Sequence, residues 1–457
     1  MLIPLASASG YTFTMGAKRS HQYDGRRHAR VSLREPSNQS IFERLVSVAS
    51  GQDSQLLDAS LELMEGLPAS EHEGPWEFLS SSHDWSGAEL RRDWQRLIEQ
   101  RSHVTMVYQT PGWFDHVMSQ HLEGQFTMAV TRDRAGRVSG IAPIRVSRES
   151  LDFHVAGITL GRIPMCKAHF VGGLPLLPNG RSAFENLAVA ISTNHPEVDG
   201  IGLSCVEVGS SLWHHLHFSK ALRERYLLLV VEGIRPYHIL PLPRTFDEYL
   251  DQHSAKKRYN LKRQVRILRE HGGGRIELRR IDSPERAQDL VDIKAQMTSS
   301  PRSLLGIVPR QPVDTWSRHK VVDLAVRGFL RSYVLFCGEE PVSLIEGVQH
   351  EKTYFALHTL YRPDYAPFSP GACLLYLLVE DLLTHRPAEV IEFGFGEPSQ
   401  RHHVSNLTLD VGTVLLLHRT LANRIRGGAH AAFFAAVSLG KEFRHRILGS
   451  RSESYGK

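Results

Sequence analysis

A chain of 457 residues has room for two or three domains of about 150 residues each. Its 41% hydrophobic and 23% charged residues exclude a disordered chain, a collagen-like repeat and a coiled-coil rod. Four cysteines (Cys166, Cys205, Cys337 and Cys373) without a CxxC spacing exclude a disulfide framework and a thiolate zinc site, and point to a reducing compartment. The longest apolar runs, 226–231 and 431–439, fall short of the roughly 20 residues of a membrane helix. The N-terminus lacks the basic-then-apolar pattern of a signal peptide. A soluble cytoplasmic protein is expected, without integral membrane association.

The net charge of +5 is unevenly spread. Residues 251–280 hold ten Lys/Arg against three Asp/Glu, a local excess larger than that of the whole chain. Residues 421–457 hold seven against two. A localised positive face suits a phosphorylated cofactor, RNA or an anionic lipid surface, or serves only as a solvated helix face.

In chain order, residues 1–84 read as an extension, partly disordered, with one helical stretch within 41–65. Helices are predicted over 88–100 and 111–121, the second opened by Pro111. Strands 126–131 and 137–146 flank Asp133-Arg134-Ala135-Gly136, a hairpin signal. Two or three short strands follow, then Asn179-Gly180-Arg181, a helix near 182–192 and a strand at 201–208. The order recurs downstream. Strands 330–336 and 342–349 flank Gly338-Glu339-Glu340-Pro341, with a third strand at 353–360. A loop then opens a helix through about Thr384, and a strand follows at 390–393. Three antiparallel strands, a loop, a helix and a strand thus appear twice, about 190 residues apart. The expected architecture is α/β (α+β): a duplicated module at 85–240 and 241–425 rather than one large sheet. Between the copies, 254–270 reads as a basic helix with Leu261, Val265 and Leu268 on one stripe, ended by three glycines. The C-terminal 426–457 forms a basic helix and tail. Its 431–448 stretch, apolar then basic, is expected to be a core helix in preference to a membrane-surface one.

Two segments carry candidate chemistry. In Tyr365–Leu378 order the chain reads YAPFSPGACLLYLL, with Ser369 as N-cap, Pro370 at the first helical position and Gly371 clearing the helix start. Such a start offers unpaired N–H groups and a favourable dipole to a pyrophosphate, or is simply a well-capped helix. Residues 392–401 read EFGFGEPSQR. There Gly394 and Gly396 permit close approach, Glu392 and Glu397 are candidate bases and Arg401 an anion clamp; a β-bulge with a solvated acidic loop is the plain alternative. Neither His402-His403 nor the His214, His215 and His217 group has the HExxH spacing, so no metal site is assigned. GxSxG and Walker motifs are absent.

The basic segment KKRYNLKRQVRI (256–267), the run from Phe329 to Gly371 and EFGFGEPSQR together resemble GNAT-superfamily acyltransferases of the BioF-like and CelD-like type, related in turn to the Fem aminoacyl transferases. The resemblance covers roughly 88–420 and is stronger in the second module. Arg258 and Asn260 fit its basic-helix element, Ser369, Pro370 and Gly371 its loop, and Glu392, Phe393, Gly394, Gly396 and Glu397 its glycine motif. Gln400-Arg401 replaces the usual Tyr-Lys, losing a phenol. It implies tandem GNAT-like modules, with acyl-CoA (acetyl-CoA) as co-substrate rather than a permanently bound cofactor. Ser369, Pro370, Gly371, Ala372, Gly394, Gly396 and Arg401 would hold the donor. Lys257, Arg258, Asn260 and Arg263 would bind substrate or anion. The acyl group would pass directly to an amine of a small molecule or an envelope or exopolysaccharide precursor. Glu346, His358 or Glu392 would act as base, and Tyr365 as proton donor to the thiolate. Two alternatives stand beside this: an aminoacyl-tRNA donor, suited to the basic helix, and a non-catalytic accessory role in polysaccharide synthesis.

Overall fold

The computed structural model describes residues 74–79, 85–99, 106–120, 122–155, 158–178, 182–298, 316–395 and 406–453. The expected helix within 41–65, the Asn179-Gly180-Arg181 turn and the first 73 residues lie outside this set.

Local chemistry fixes the first hairpin. The Asp133 carboxylate accepts from the N–H groups of Ala135 and Arg137 at 2.9 and 3.0 Å, holding the turn between β2 (Gln125–Arg132) and β3 (Val138–Val155). β1 (Glu77–Leu79) lies on the outer side of β2. β3 and β4 (Ile158–Phe170) form a long arm where the sequence suggested only short strands. Helices α1 (Ala88–Glu99), α2 (Pro111–Met118) and α3 (Ala183–Asn194) belong to the same half, as does β5 (Gly200–Glu207), which runs parallel to β4. Two short helices, α4 (Ser211–Phe218) and α5 (Lys220–Arg225), lead into β6 (Tyr226–Pro241).

The second half repeats the plan. After α6 (Phe246–Asp251) comes the basic helix α7 (Ala255–His271), capped by the Ser254 hydroxyl, with Val265 and Leu268 buried as the spacing predicts. It stops at Gly272, where a Cβ would stand 2.5 Å from the Arg275 carbonyl and 2.8 Å from the Gly338 nitrogen. Only glycine allows that packing of the turn on Cys337 and Gly338. β7 (Ile276–Ile281), α8 (Ala287–Thr298) and α9 (Trp316–Val326) precede the antiparallel strands β8 (Ser332–Cys337), β9 (Glu340–His350) and β10 (Thr353–Tyr361). All six residues of β8 are buried, as expected for a strand covered by helices on both faces. Helix α10 (Pro370–Thr384) then crosses over to β11 (Val390–Phe395), parallel to β10. Strand β12 (Leu407–His418) and the long helix α11 (Leu421–Glu453) follow.

The α/β class holds, with a mixed sheet flanked by helices, but the two copies do not form separate sheets. All twelve strands join in the order β1-β2-β3-β4-β5-β12-β6-β11-β10-β9-β8-β7. The reason is an exchange of strands. β6 follows β5 in the chain yet lies beside β11, and β12 follows β11 yet lies beside β5. The exchanged strands also pair with each other along most of their length. A chain of charges adds a second tie: Arg91 and Arg327 share Asp115, while Asp323 takes Arg327 at 2.9 Å and His116 at 2.6 Å. It links α1 and α2 of the first half to α9 of the second.

This seam makes one cooperative unit of both halves. Leu416, 1% exposed, pairs with Ile201 and Leu228 across the exchange. Leu416→Ala is expected to cost about 2–5 kcal/mol. Denaturation followed by near-ultraviolet and far-ultraviolet dichroism should show one coincident transition, shifted as a whole.

Candidate active site

β10 and β11 pair through only three residues each, 353–355 with 390–392. Beyond Phe355 and Glu392 they part. Both strands are irregular there: β10 shifts register against β9 between Ala356 and His358, and β11 shifts against β6 between Glu392 and Gly394. Gly394 takes a φ of +66°, which the bulge requires. The parted strands leave a slot at their carboxyl ends, the place where crossover α/β units bind ligands.

One side of the slot is the start of α10. Ser369 stands at the N-cap position in the left-handed region (φ 51°, ψ 53°), and its hydroxyl does not cap the helix as the sequence suggested. Gln264 of α7 donates to that hydroxyl at 3.4 Å instead, tying the basic helix to the loop. Ala372 and Cys373 both donate to the Ser369 carbonyl, and Pro370 has no N–H to offer. The Gly371 N–H is therefore the open donor of this turn. A Cβ added at Gly371 would meet no atom of the described residues within 4 Å, so among them the helix start is open.

The other side is a buried carboxyl. Alternation along β11 turns Ile391 and Phe393 toward the core under α10, and Glu392 toward the opposite face with Tyr237. Glu392 is 1% exposed, and Tyr237 donates a hydrogen bond to its Oε2. Its Oε1 has no partner among the described residues. Burial pushes the Glu392 carboxyl well above the usual carboxylate range, against the smaller opposing effect of the Tyr237 bond. Burial, and then the nearby Glu392, raise Tyr108, Tyr237 and Cys205, the last to about 12. Tyr108 sits in the turn Met106–Gln109 and meets the Phe355 ring edge-on at 5.3 Å. Cys205 sits on β5 at a φ of 57°. Tyr108, Cys205 and Tyr237, from three elements of the first half, thus lie near one buried carboxyl of the second.

The other predicted residues fall in several places. Glu346 is the register partner of His358, and both of its oxygens accept from Lys294 Nζ, at 2.9 and 2.8 Å, an ion pair that ties it to α8. His358 is exposed rather than part of the core. Tyr365 lies in the 3-10 turn Pro363–Phe368 just before α10, half-buried under Arg362 and against His271. On α7, Arg258 is engaged by Asp251 at 2.6 Å, while Lys257, Asn260 and Arg263 are exposed. Gly396, Glu397, Gln400, Arg401 and His402-His403 lie outside the described residues. Sequence reasoning missed Tyr108, Cys205 and Tyr237. The positive φ of Cys205 and the buried bond of Tyr237 leave no spacing signal.

Residues 255–402 match the family model described as an acetyltransferase (GNAT) domain. No curated protein matches the chain in sequence. Among solved structures, FemX is 10% identical and aligns over 75% of this chain and 97% of its own with a TM-score of 0.50, a likeness of fold. A conserved protein of unknown function from Bacteroides thetaiotaomicron VPI-5482 is 12% identical, over 75% and 99%, with a TM-score of 0.48. A tandem GNAT protein from the clavulanic acid biosynthesis pathway is 12% identical, over 75% and 98%, at 0.43.

The buried carboxyl makes a stability prediction whose sign is fixed. A raised folded value means that the native state holds a proton which the unfolded chain releases above about pH 4.5. The contribution of Glu392 is fully present below that pH and is lost as pH rises through the raised value. The loss runs at no more than about 1.4 kcal/mol per pH unit. Glu392→Gln should therefore gain on the wild type as denaturation is repeated from pH 5 to pH 9. A difference that stays constant with pH would contradict the assignment.

Proposed function

We propose that the protein is an N-acyltransferase that moves an acyl group from acyl-CoA directly to an amine. The observation that carries this reading is the slot between β10 and β11, with an open helix start on one face and a buried carboxyl on the other. The GNAT match over the same segment supports the reaction class.

The parts divide as follows. The Gly371 N–H and the helix dipole receive the donor's phosphates, with Lys257 and Arg263 of α7 as cations. The thioester enters the slot from this side, and the amine enters from the side of Glu392, Tyr237 and Tyr108. Nitrogen attacks the thioester carbonyl, the C–N bond forms and the C–S bond breaks. The amine proton passes to the Glu392 carboxylate, whose raised value makes it a strong base in the fraction that is ionised. The thiolate leaves toward Tyr365 at the loop before α10, which returns a proton to it.

A second reading rests on a separate observation. Lys256, Lys262, Arg263, Arg266 and Arg269 are all exposed on α7, a surface that also suits an aminoacyl-tRNA donor.

Calorimetric titration with CoA and acetyl-CoA tests the first reading, with Gly371→Phe as the probe of position. A Cβ at Gly371 meets no described atom, and the melting temperature of the variant, measured alongside, should hold while micromolar binding falls at least about tenfold. Absence of binding to the wild type would overturn the CoA donor. Binding of charged tRNA that weakens steeply with salt would put the second reading in its place.

A further inference from the structure

The last helix has one face packed and one face without a partner in the fold. At 33 residues, α11 is about 50 Å long. Its packed face holds Asn423, Gly427 and His430. Asn423 donates to the carbonyls of Asp199 and His418 at 2.9 and 3.1 Å, Arg426 pairs with Asp199 at 2.6 Å, and His430 and Phe433 meet Phe153 of β3. The opposite face is apolar and open. Leu421 is 76% and Ile425 65% exposed, and Ala429, Ala432 and Ala436 are exposed after them at helical spacing. The sequence carries the same spacing onward through Leu439, Phe443 and Ile447. A solvated helix would place polar residues there.

Beside this stripe, α11 and β6 enclose an open groove of about 480 Å³. Leu227 and Leu229 form its apolar wall, and Arg223, Arg419 and Arg424 stand around it. None of these three guanidiniums has an ion-pair partner among the described residues. The segment 421–457 carries seven basic and two acidic residues.

We propose that α11 docks the protein on an anionic bilayer surface, its apolar stripe entering the head-group boundary while Arg223, Arg419 and Arg424 hold lipid phosphates. Charge decides against a second copy of the chain. Two such helices, paired in either direction, would set one basic segment against another, whereas an anionic surface neutralises both. No described helix is long and apolar enough to cross a membrane, so the contact is with the surface.

The test is co-sedimentation of the full chain with vesicles of phosphatidylcholine alone and of phosphatidylcholine with one-quarter phosphatidylglycerol. Binding to the anionic vesicles only, weakening with salt, is expected. The double variant Leu421→Gln/Ile425→Gln should weaken it at least about tenfold, as should Arg223→Ala/Arg419→Ala/Arg424→Ala. The substituted side chains are exposed or line an open groove, so melting temperature should be unchanged, and CoA titration checks that the variants keep a native donor site. Equal binding to both vesicle types, no binding at millimolar lipid, or binding unaltered in both variants would overturn the proposal. Concentration-dependent dimerisation abolished by the Leu421/Ile425 variant, without vesicle binding, would assign the stripe to a second copy and overturn it as well.

Discussion

The structure depends on the pairing of β12 with β6. Each half of the chain ends in a strand that completes the other half, so neither sheet edge at the junction can be satisfied locally. An unpaired β5 or β11 would expose a row of backbone donors and acceptors. Covering them requires the last strand of the chain to return across some two hundred residues. That return costs little extra loop entropy once the halves are folded, because closure entropy grows only with the logarithm of length. It yields a continuous ladder, with Leu415, Leu416 and Leu417 of β12 buried between β5 and β6 of the first half. A hinge between the halves is correspondingly hard to build, since bending there would break ladder bonds on both sides of two strands.

The same junction explains why a carboxyl can be buried at Glu392. β6 brings Tyr237 beside β11, the exchange brings β5 with Cys205 close by, and the first half contributes Tyr108 from the turn before α2. These apolar bodies exclude water, and only one of them donates to the carboxyl. An ionised carboxylate would therefore have only the Tyr237 bond to make its burial tolerable, and burial favours the protonated form. Glu346 is the instructive contrast. It lies on the neighbouring sheet strands, but a lysine occupies both of its oxygens, so its charge is spent on structure.

What the sequence discloses is what repeats locally. The stripe Leu261, Val265 and Leu268, the Asp133–Gly136 turn, and Pro370 opening a helix after a strand are each written within a dozen residues, and the structure follows them. From these, the repeated order and the Pro370 helix start beside the slot were readable. The strand exchange was not, because β6 and β12 have the same alternating pattern whichever neighbour they take. Nor was the setting of Glu392, since Tyr108, Cys205 and Tyr237 share no spacing with it. Ser369 shows a subtler limit. Its type and position are those of a cap, yet the left-handed backbone aims its hydroxyl at Gln264 instead.

One strand joins the surface helix to the candidate site. Leu227 and Leu229 of β6 wall the groove under α11, and Tyr237 of the same strand bonds to Glu392. β6 bulges at 232–233 between Leu227 and Tyr237, and their β12 partners, Leu417 and Leu409, lie eight residues apart, about 26 Å of strand at the usual rise. β6 is paired with β12 over this span, so the spacing is a dimension of the sheet rather than the reach of a linker. An acceptor that stays in the bilayer could meet Glu392 only if β6 lay along the surface or if its amine stood on a head group tens of ångströms long. An acceptor dissolved in water meets no such condition. The geometry therefore makes docking at α11 a matter of where the protein works, and leaves the choice of amine to the slot and to Tyr108, Tyr237 and Glu392 around it.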